Sequence, residues 1–405
     1  MGRTYIVIGN GVSGTEAAKN IRKNDPLAKI NVFTSDHYPF YSRLRIPELL
    51  AKEVEVEDIY VYKIEWYYKN NINLYVNTTV KSVDFKNQKI TLVDKSAFFY
   101  DKLLFATGSS NILPPIDGIN STDGVFTLRS IDDTLTITRR AGGAKAATLI
   151  GGGLLGLEAG NGLRKLGLSV TVVELFDRLL PRQLDAEGSI ILQKQMEGLG
   201  LKFILGVKSK SVKDKANARL LELSDGRIVE GDFILVSAGI KPNVAVAQTA
   251  GVFVNNGIVV NDRMETNIPN VYAAGDVAEH NGRLYGIWPA SQKQGMVAGN
   301  SMAGRDESYG GTIPSTTLKV AGIHLTSMGN IMTEDKTTEQ VKVKNPDMNR
   351  YKKLFIKDGR LVGAIFIGDT INAKEMEQLM VKKVDVSKVK EKILESDFDI
   401  KSLQK

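Results

Sequence analysis

Two glycine-rich turns of the same pattern constrain the fold of this chain more than any other feature. Residues 9–14 read GNGVSG and residues 151–156 read GGGLLG. Each turn follows a short apolar run, at residues 5–8 and 147–150, and opens a stretch with helical character. A strand, a GxGxxG turn and a helix in this order form the fingerprint that binds the pyrophosphate of a dinucleotide. The chain is therefore predicted to contain two dinucleotide-binding units.

The three glycines of each turn have separate roles in this fingerprint. The first permits the tight bend, the second lets the backbone approach the pyrophosphate, and the third lets helix and strand pack closely. The helix N-terminus adds unpaired N–H groups and the positive end of the helix dipole. The candidate cofactor-binding residues are Gly9, Asn10, Gly11, Val12 and Gly14 in the first turn, and Gly151, Gly153 and Gly156 in the second.

The ribose of each dinucleotide is expected to meet a residue at the end of the strand that follows the helix. In the first unit Ser35 and Asp36 stand there. The acidic residue that usually binds the ribose is here displaced by one position along the chain. Either Asp36 or the hydroxyl and backbone of Ser35 is therefore expected to bind the ribose. In the second unit the strand runs into Glu174, whose carboxylate would accept hydrogen bonds from both ribose hydroxyls and repel a 2′-phosphate. NADH is thus favoured over NADPH, and Arg178 and Arg182 soften this preference if they reach the ribose.

Length and charge limit the class of protein. With 405 residues and 42% hydrophobic content, the chain is predicted to be globular and soluble, with two or three domains. A first strand close to the N-terminus and the lack of an apolar run of about 18 residues favour a cytoplasmic location without a membrane contact. The net charge is +7, but no basic stripe with interleaved aromatic residues indicates nucleic-acid binding.

The sequence contains no cysteine and three histidines. The absence of cysteine excludes a disulfide framework, a redox dithiol and a cysteine-ligated iron–sulfur or zinc site within these residues. His37, His280 and His324 have no spacing suited to acid–base or metal chemistry, so we expect them to be structural or exposed and predict no metal site.

Further along the chain, other segments complete the pattern. Residues 103–108 form an apolar strand that runs into an Ala-Thr-Gly turn, and residues 201–238 alternate strand signals around a turn at 224–227. Residues 272–276 read YAAGD. From about residue 312 the character changes to a hairpin, 351–356 with 361–367, followed by lysine-rich segments predicted to be helical.

This combination resembles the two-dinucleotide flavoprotein family of pyridine nucleotide–disulfide reductases, over roughly residues 3–310. Within the family it is most similar to the branch that contains NADH-dependent rubredoxin reductases and the flavin part of assimilatory nitrite reductases. The segments that carry this closer resemblance are PFYSR at 39–43, GGGLLGLE at 151–158, RQLD at 182–185, SQKQG at 291–295 and PSTTLKV at 314–320.

The resemblance implies an α/β fold with two Rossmann-like dinucleotide-binding domains, one for FAD and one for NAD, plus a small C-terminal α+β domain. The FAD-binding domain would comprise residues 1–112 and 239–311, and the NAD-binding domain residues 113–238. Residues 312–405 would form the C-terminal domain with a helical tail.

The resemblance also implies roles for single residues around FAD. Asp276 would bind the ribitol chain, Arg43 would lie near the cofactor, and the backbone of Val80 would meet the adenine. Arg43 is alternatively a surface charge in a loop. Further candidate cofactor-binding residues are Thr107, Gly108 and Gly239.

Glu158, Trp288 and Lys319 would line the isoalloxazine region by the same resemblance. Alternatively, Glu158 is a solvated helix residue, Trp288 packs in the core, and Lys319 is one of many lysines without a role at the flavin. Glu158 and Lys319, together with Arg43, are the candidate catalytic residues. A helix starting near Ala290 would present its N-terminus to the flavin and, with Lys319, stabilise the anionic reduced ring.

The missing cysteines decide which chemistry the resemblance implies. Dithiol members of the family pass electrons to a cysteine pair, and peroxidase-like members use one cysteine near position 42, where this chain has Ser42. The remaining chemistry is hydride transfer from NADH to the flavin and release of single electrons to an external acceptor. Three hypotheses follow: a reductase of an acidic one-electron carrier such as rubredoxin, a flavin electron-input subunit of a nitrate- or nitrite-reducing assembly, and an NADH-sensing flavoprotein.

Overall fold

The computed structural model describes residues 2–216, 218–320, 322–332, 335–345, 348–395 and 398–404. The helices are α1 (Val12–Asn24), α2 (Ile46–Leu50), α3 (Ile64–Lys69), α4 (Ile131–Ala141), α5 (Leu154–Lys165), α6 (Ala186–Gly198), α7 (Ala245–Thr249), α8 (Trp288–Met302) and α9 (Ala373–Val381). The strands are β1 (Thr4–Ile8), β2 (Lys29–Phe33), β3 (Ile72–Tyr75), β4 (Val80–Asp84), β5 (Lys89–Leu92), β6 (Ala97–Phe99), β7 (Lys102–Phe105), β8 (Ser109–Asn111), β9 (Val125–Thr127), β10 (Ala146–Ile150), β11 (Ser169–Val173), β12 (Lys202–Ile204), β13 (Ser209–Lys215), β14 (Ala218–Leu223), β15 (Ile228–Gly231), β16 (Phe233–Val236), β17 (Ile240–Pro242), β18 (Ile258–Val260), β19 (Val271–Ala273), β20 (Ala278–His280), β21 (Ser315–Val320), β22 (Ile323–Gly329), β23 (Glu339–Asn345), β24 (Arg350–Lys357) and β25 (Arg360–Ile367).

The chain divides into two compact units. The first comprises Met1–Arg43, Val56–Ser110 and Ile240–Thr312, and the second comprises Leu44–Glu55, Asn111–Gly239 and Ile313–Lys405. The domain boundaries predicted from the sequence stay a prediction.

The first unit is built on a parallel five-stranded sheet in the order β19-β7-β1-β2-β3. The central strand β1 is buried along most of its length because a parallel sheet is covered on both faces. Helices α1 and α8 pack closely, since a Cβ on Gly295 would lie 2.4 Å from the carbonyl oxygen of Ser13. This contact joins the helix after the first glycine turn to the last helix of the unit.

The second unit contains another parallel sheet, in the order β12-β11-β10-β16-β9. The predicted strand signals around residues 224–227 correspond to β14 and β15, which pair in antiparallel fashion. Helix α2 also belongs to this unit and packs against α5, where a Cβ on Gly162 would lie 3.3 Å from the carbonyl oxygen of Pro47.

The C-terminal part of the second unit is an antiparallel sheet, β21-β22-β25-β24-β23, with α9 against it. The predicted hairpin is present as β24 and β25. Asp185 accepts hydrogen bonds from the hydroxyl of Tyr351 and the ammonium of Lys353, each at 2.6 Å, and its carboxylate also caps α6. These bonds attach the C-terminal sheet to the helix that follows the RQLD segment.

The prediction of helical segments throughout the lysine-rich tail is wrong beyond α9. After Val381, the residues that the structure describes form turns and a short 3-10 helix, Ile400–Gln404. Asp385 accepts a hydrogen bond from the backbone N–H of Ser387, and such local bonds compete with helix formation. The tail nevertheless buries Ile393, Leu394 and Ile400 against α9 and the sheet. The predicted α/β fold with a C-terminal α+β part is confirmed.

In the part of the chain that the structure describes, every helix is too short or too polar to cross a membrane. The described residues also contain no cluster of three histidine or acidic side chains that could hold a metal ion. His37 and His324 are exposed, whereas His280 is buried and lies 2.7 Å from a carboxylate oxygen of Asp262.

Candidate dinucleotide-binding sites

The first glycine turn has the geometry that a phosphate cradle requires. Gly9 has φ +113°, and a Cβ there would lie 2.0 Å from the carbonyl oxygen of Ala106. A Cβ on Gly14 would lie 2.0 Å from the carbonyl oxygen of Gly9, so the helix and strand touch at this point. By contrast, no atom lies within 4 Å of a Cβ built on Gly11. The open space is therefore at the glycine where a pyrophosphate approaches the backbone.

The second turn repeats this arrangement. Gly151 has φ +108°, and its Cβ would lie 2.3 Å from the carbonyl oxygen of Ser237, while a Cβ on Gly156 would lie 2.2 Å from that of Gly151. Gly153 again has no atom within 4 Å of an added Cβ. The residues of both turns fit a bound dinucleotide.

Each turn leads into a helix whose N-cap residue is a glycine. Gly11 caps α1 and Gly153 caps α5, and neither glycine can offer a side chain to the first N–H groups of its helix. Uncapped N–H groups and the helix dipole favour an anion at such an end. Both helices thus present donors where the phosphates of the predicted dinucleotides are expected.

A small cleft adjoins the first turn. Its lining brings together four residues that the sequence predicts for cofactor binding, namely Asn10, Gly11, Asp36 and Arg43. Asp36 Oδ2 accepts hydrogen bonds from Arg43 at 3.0 Å and from the hydroxyl of Tyr41 at 3.2 Å. The remaining lining residues are Thr34, Tyr38, Pro39, Phe40 and Tyr41.

The two alternatives for the ribose ligand differ in their position at the end of β2. Ser35 is exposed and is not part of the cleft lining, whereas Asp36 is. The strand ends at Phe33, and the N–H of Gly9 donates to the carbonyl oxygen of this residue. Because the equivalent bond in the second unit runs from Gly151 to Val173, the position equivalent to Glu174 is Thr34. The acidic residue is displaced by two positions rather than one.

Sequence reasoning missed Tyr67, which holds the side chain of Asn10. The hydroxyl of Tyr67 donates to Asn10 Oδ1 at 2.9 Å, and that of Thr15 donates to the same atom at 3.2 Å. Tyr67 is 1% exposed and comes from α3, so no local sequence pattern connects it with the glycine turn.

Val80, whose backbone is predicted to meet the adenine, is buried at the start of β4.

The Ala-Thr-Gly turn lies against a segment from late in the chain. The amide of Asn243 donates to the carbonyl oxygen of Thr107 at 2.9 Å, and the hydroxyl of Thr107 donates to the carbonyl oxygen of Asn243 at 2.8 Å. Gly108 has φ +65°, which only glycine adopts readily. In the second unit, Gly239 has φ +104°.

Helix α8 begins at Trp288, so the predicted start near Ala290 is two residues late. Pro289 occupies the first turn of the helix, where proline is tolerated because its missing N–H needs no partner. Trp288 stacks on Phe40 with ring centroids 5.7 Å apart, and Phe40 also lines the cleft beside the first glycine turn.

The carboxylate of Glu174 is hydrogen-bonded to the second glycine turn. Its Oε2 atom accepts a hydrogen bond from the N–H of Gly152 at 2.6 Å, and Oε1 accepts one from the N–H of Phe176 at 2.9 Å. The residue is only 7% exposed. Arg178 forms an ion pair with Asp177 at 3.1 Å. The carboxylate therefore has a fixed orientation directly beside the turn.

Glu158 lies on α5, two residues after Gly156. Burial raises the pKa of its carboxyl to about 7, and the charge of Glu48 on α2 acts in the same direction. The corresponding residue of the first unit, Glu16, accepts a hydrogen bond from Asn20 at 2.9 Å and lies 3.5 Å from Lys19. The environment of Glu158 thus differs from that of a solvated helix residue.

The candidate catalytic residues belong to different units. Arg43 is part of the first unit, while Glu158 and Lys319 are part of the second. The backbone of Lys319 pairs with His324 in the strands β21 and β22. The side chain of Lys319 lies outside the part of the chain that the structure describes.

Comparison with known proteins gives the class to which this fold and these turns belong. Residues 3–295 match the family described as pyridine nucleotide-disulphide oxidoreductase. The chain belongs to this family, as the resemblance predicted, and the family uses FAD and a nicotinamide dinucleotide. Residues 314–384 match the rubredoxin NAD+ reductase C-terminal domain.

Within this family, the chain is similar over nearly its whole length to several individual proteins. The chain is 36% identical over 394 residues to an assimilatory nitrate reductase electron transfer subunit of Bacillus subtilis, covering 97% of this chain and 51% of that protein. It is 32% identical over 401 residues to the NADH-rubredoxin oxidoreductase of Clostridium acetobutylicum, covering 98% of each. The crystal structure of NADH:rubredoxin oxidoreductase from that organism matches with a TM-score of 0.80 at 28% identity, over 96% of this chain and 98% of that one.

The extent of these matches differs. The chain spans about half the length of the nitrate reductase subunit and of a second Bacillus subtilis relative, a nitrite reductase, of which it covers 48%. It spans almost all of the Clostridium acetobutylicum protein.

Proposed function

We propose that this protein is an FAD-containing, NADH-dependent reductase of a small one-electron carrier protein of the rubredoxin type. The observation that carries the proposal is the pair of matching glycine turns, each with open space at its second conserved glycine. Two such turns in one chain would bind two dinucleotides. One would be the bound cofactor and the other the reductant. When bound, FAD would accept a hydride from NADH and release the two electrons singly.

The residues of the first unit would hold FAD. The backbone at Gly11 and the N-terminus of α1 would meet the pyrophosphate, and Asp36 would accept a hydrogen bond from the adenosine ribose. Asp276 would bind the ribitol chain. Trp288, stacked on cleft-lining Phe40, would contribute an apolar wall for the flavin.

The residues of the second unit would hold NADH. The N-terminus of α5 at Gly153 would meet the pyrophosphate, and Glu174 would face the ribose with a carboxylate that is oriented by two backbone N–H groups. Glu158, whose pKa is raised to about 7, would exchange a proton near neutral pH. Arg43 and Lys319 remain candidate catalytic residues by resemblance.

The carrier is proposed to be acidic. The sequence contains no cysteine. Electrons would therefore pass from the flavin directly to the partner, with no dithiol of this chain as an intermediate carrier. A net charge of +7 attracts an acidic protein at long range, and such steering raises association rates by about 10 to 1,000-fold. Similarity along the full length of an NADH-rubredoxin oxidoreductase supports a carrier of this kind. The cytoplasmic location expected from the sequence stays part of this proposal.

The purified protein tests the proposal directly. We expect a yellow protein with one FAD and no iron or zinc, which reduces rubredoxin rapidly with NADH at low salt. The kcat/KM for rubredoxin should fall steeply as NaCl shortens the Debye length to about 8 Å at 0.15 M, whereas reduction of a small neutral dye should barely change. A colourless protein that takes up neither FAD nor FMN would refute the proposal. Rubredoxin rates no faster than oxygen reduction would refute the assignment of the carrier.

A second candidate function is the flavin electron-input part of a nitrate- or nitrite-reducing assembly. It is favoured by the 36% identity to the electron transfer subunit of Bacillus subtilis. In that case the protein should co-purify with a metalloprotein, and its rate with rubredoxin should not depend on salt.

A further inference from the structure

Two buried hydroxyl groups hold the carboxylate of Asp276. Ser109 Oγ donates to Asp276 Oδ2 at 2.7 Å, and Ser291 Oγ donates to Oδ1 at 3.3 Å. Ser109 is 5% exposed and Ser291 is 8% exposed. Ser109 follows the Ala-Thr-Gly turn, whereas Ser291 lies near the N-terminus of α8. Each carboxylate oxygen thus receives a donor from a separate segment of the same unit.

The backbone that leads into Asp276 is held independently of these serines. The N–H of Gly275 donates to the side-chain oxygen of Gln294 at 2.8 Å, and the hydroxyl of Ser13 donates to the carbonyl oxygen of Ala274 at 3.0 Å. Gly275 has φ +87°, and a Cβ there would lie 2.4 Å from Ser13 Oγ. Because this backbone is fixed, the two serines act on the orientation of the carboxylate rather than on the path of the chain.

The segment that carries Ser109 is itself anchored. On one side the backbone and side chain of Thr107 bond to Asn243, and on the other the hydroxyl of Ser110 donates to Asn243 Oδ1 at 2.6 Å. A donor on an anchored segment restricts its acceptor more strongly than a donor on a mobile one.

We propose that Ser109 and Ser291 are positioning residues that hold the Asp276 carboxylate in the orientation in which it accepts a hydrogen bond from the ribityl chain of FAD. This inference rests on the proposed function, which assigns FAD to the first unit. A side chain oriented before binding loses less conformational entropy when the ligand arrives, so the affinity is higher.

The affinity for FAD tests this role without measuring turnover. FAD is titrated into the apoproteins of wild type, Ser109→Ala and Ser291→Ala, and binding is followed by the change in flavin fluorescence. We expect the Kd to rise about tenfold for Ser109→Ala, because a carboxylate that is no longer held must lose conformational freedom when FAD binds. Ser291→Ala should raise it by only about threefold, since its bond is longer.

Ser301 provides a matched control on the same helix. It is 1% exposed, and its hydroxyl has no hydrogen-bond partner among the described residues. Ser301→Ala therefore removes the same atom from an equally buried place without touching Asp276. Its Kd for FAD should equal that of wild type, and its thermal stability should be unchanged or slightly higher.

A double-mutant cycle with Asp276 separates positioning from general packing. In an Asp276→Ala background, Ser109→Ala should change the Kd by less than twofold, because the group it orients is gone. A tenfold effect that persists in this background would overturn the inference, as would a Ser109→Ala protein that binds FAD as tightly as wild type. Ser291→Ala gives the same test from the other oxygen if Ser109→Ala does not fold. Failure of the wild type to bind FAD would overturn the proposed function together with the inference.

Discussion

The two dinucleotide-binding sites share the geometry of their glycine turns and differ in the residue between the first two conserved glycines. The first site has Asn10 there, and its side chain bonds to Tyr67 and Thr15. The second has Gly152, where a Cβ would lie 2.9 Å from Leu179 and 3.3 Å from the carboxylate of Glu174. Leu179 and the carboxylate of Glu174 thus crowd the position that a side chain at Gly152 would take.

A second difference concerns the carboxyl group two residues after the last glycine of each turn. Glu16 in the first unit has Lys19 and Asn20 as partners. In the second unit, burial and the charge of Glu48 both raise the pKa of Glu158. The same sequence position therefore holds a carboxylate with two nearby polar partners in one unit and a carboxyl group whose pKa burial raises to about 7 in the other. Equivalent positions in repeated motifs acquire different chemistry from their surroundings.

Alanine at the first glycine of either turn is expected to have the largest effect. Gly9→Ala and Gly151→Ala combine a positive φ with a clash against a backbone carbonyl, so we expect a loss of about 3 kcal/mol or more in the free energy of unfolding. Urea denaturation of the proteins without bound dinucleotide measures this loss. Gly11→Ala and Gly153→Ala are the controls and should cost about 1 kcal/mol or less. Equal losses at Gly9 and Gly11 would show that the space at Gly11 is not open.

Glu158→Gln should remove a pH dependence of the stability. With a folded-state pKa of about 7 and an ordinary value of 4.5, the folded protein retains a proton between these limits that the unfolded chain has released. Stability therefore falls as the pH rises from about 4.5 to 7, by up to roughly 3 kcal/mol, and the variant should be more stable at pH 8.

Urea unfolding of wild type and Glu158→Gln at pH 5 and pH 8 measures this difference. Glu16→Gln is the matched variant at the equivalent position of the first unit, against which the profile of Glu158→Gln is compared. A parallel pH profile for Glu158→Gln and wild type would contradict the buried, raised-pKa state of this carboxyl.

Alanine at the second conserved glycine of each turn should separate the two ligands. Gly11→Ala is expected to weaken FAD binding about a hundredfold and Gly153→Ala to weaken NADH binding by a similar factor, because a methyl group enters the space of the pyrophosphate. Calorimetric titration with each dinucleotide measures both constants. If both variants lost the same dinucleotide, the assignment of the two sites would be wrong.

The smallest expected effect concerns the choice between NADH and NADPH. Wild type should prefer NADH, and Glu174→Gln should lower the ratio of the two kcat/KM values about tenfold, since a charge that repels the 2′-phosphate is lost. Asp36→Asn, the corresponding change beside the first turn, should leave this ratio unchanged. Equal or better use of NADPH by the wild type would show that Glu174 does not face the ribose.

Much of the fold could be predicted because its signals are local. The glycine turns, the strands before them and the hairpin of β24 and β25 depend on residues adjacent in sequence, where backbone sterics and alternating burial act directly. Two local predictions were wrong for reasons that are also local. Pro289 lies in the first turn of α8, which starts earlier than expected. In the tail, local hydrogen bonds such as that from the Ser387 N–H to the Asp385 carboxylate compete with helix formation.

By itself the sequence determined the family, the two cradles and the identity of most candidate ligands, since these follow from short motifs. Only the tertiary structure decided which distant groups meet them. Tyr67 reaches Asn10, Ser109 and Ser291 reach Asp276, and the pKa of Glu158 follows from its burial near Glu48. Burial and long-range hydrogen bonds arise only when separate segments pack together, so no motif records them.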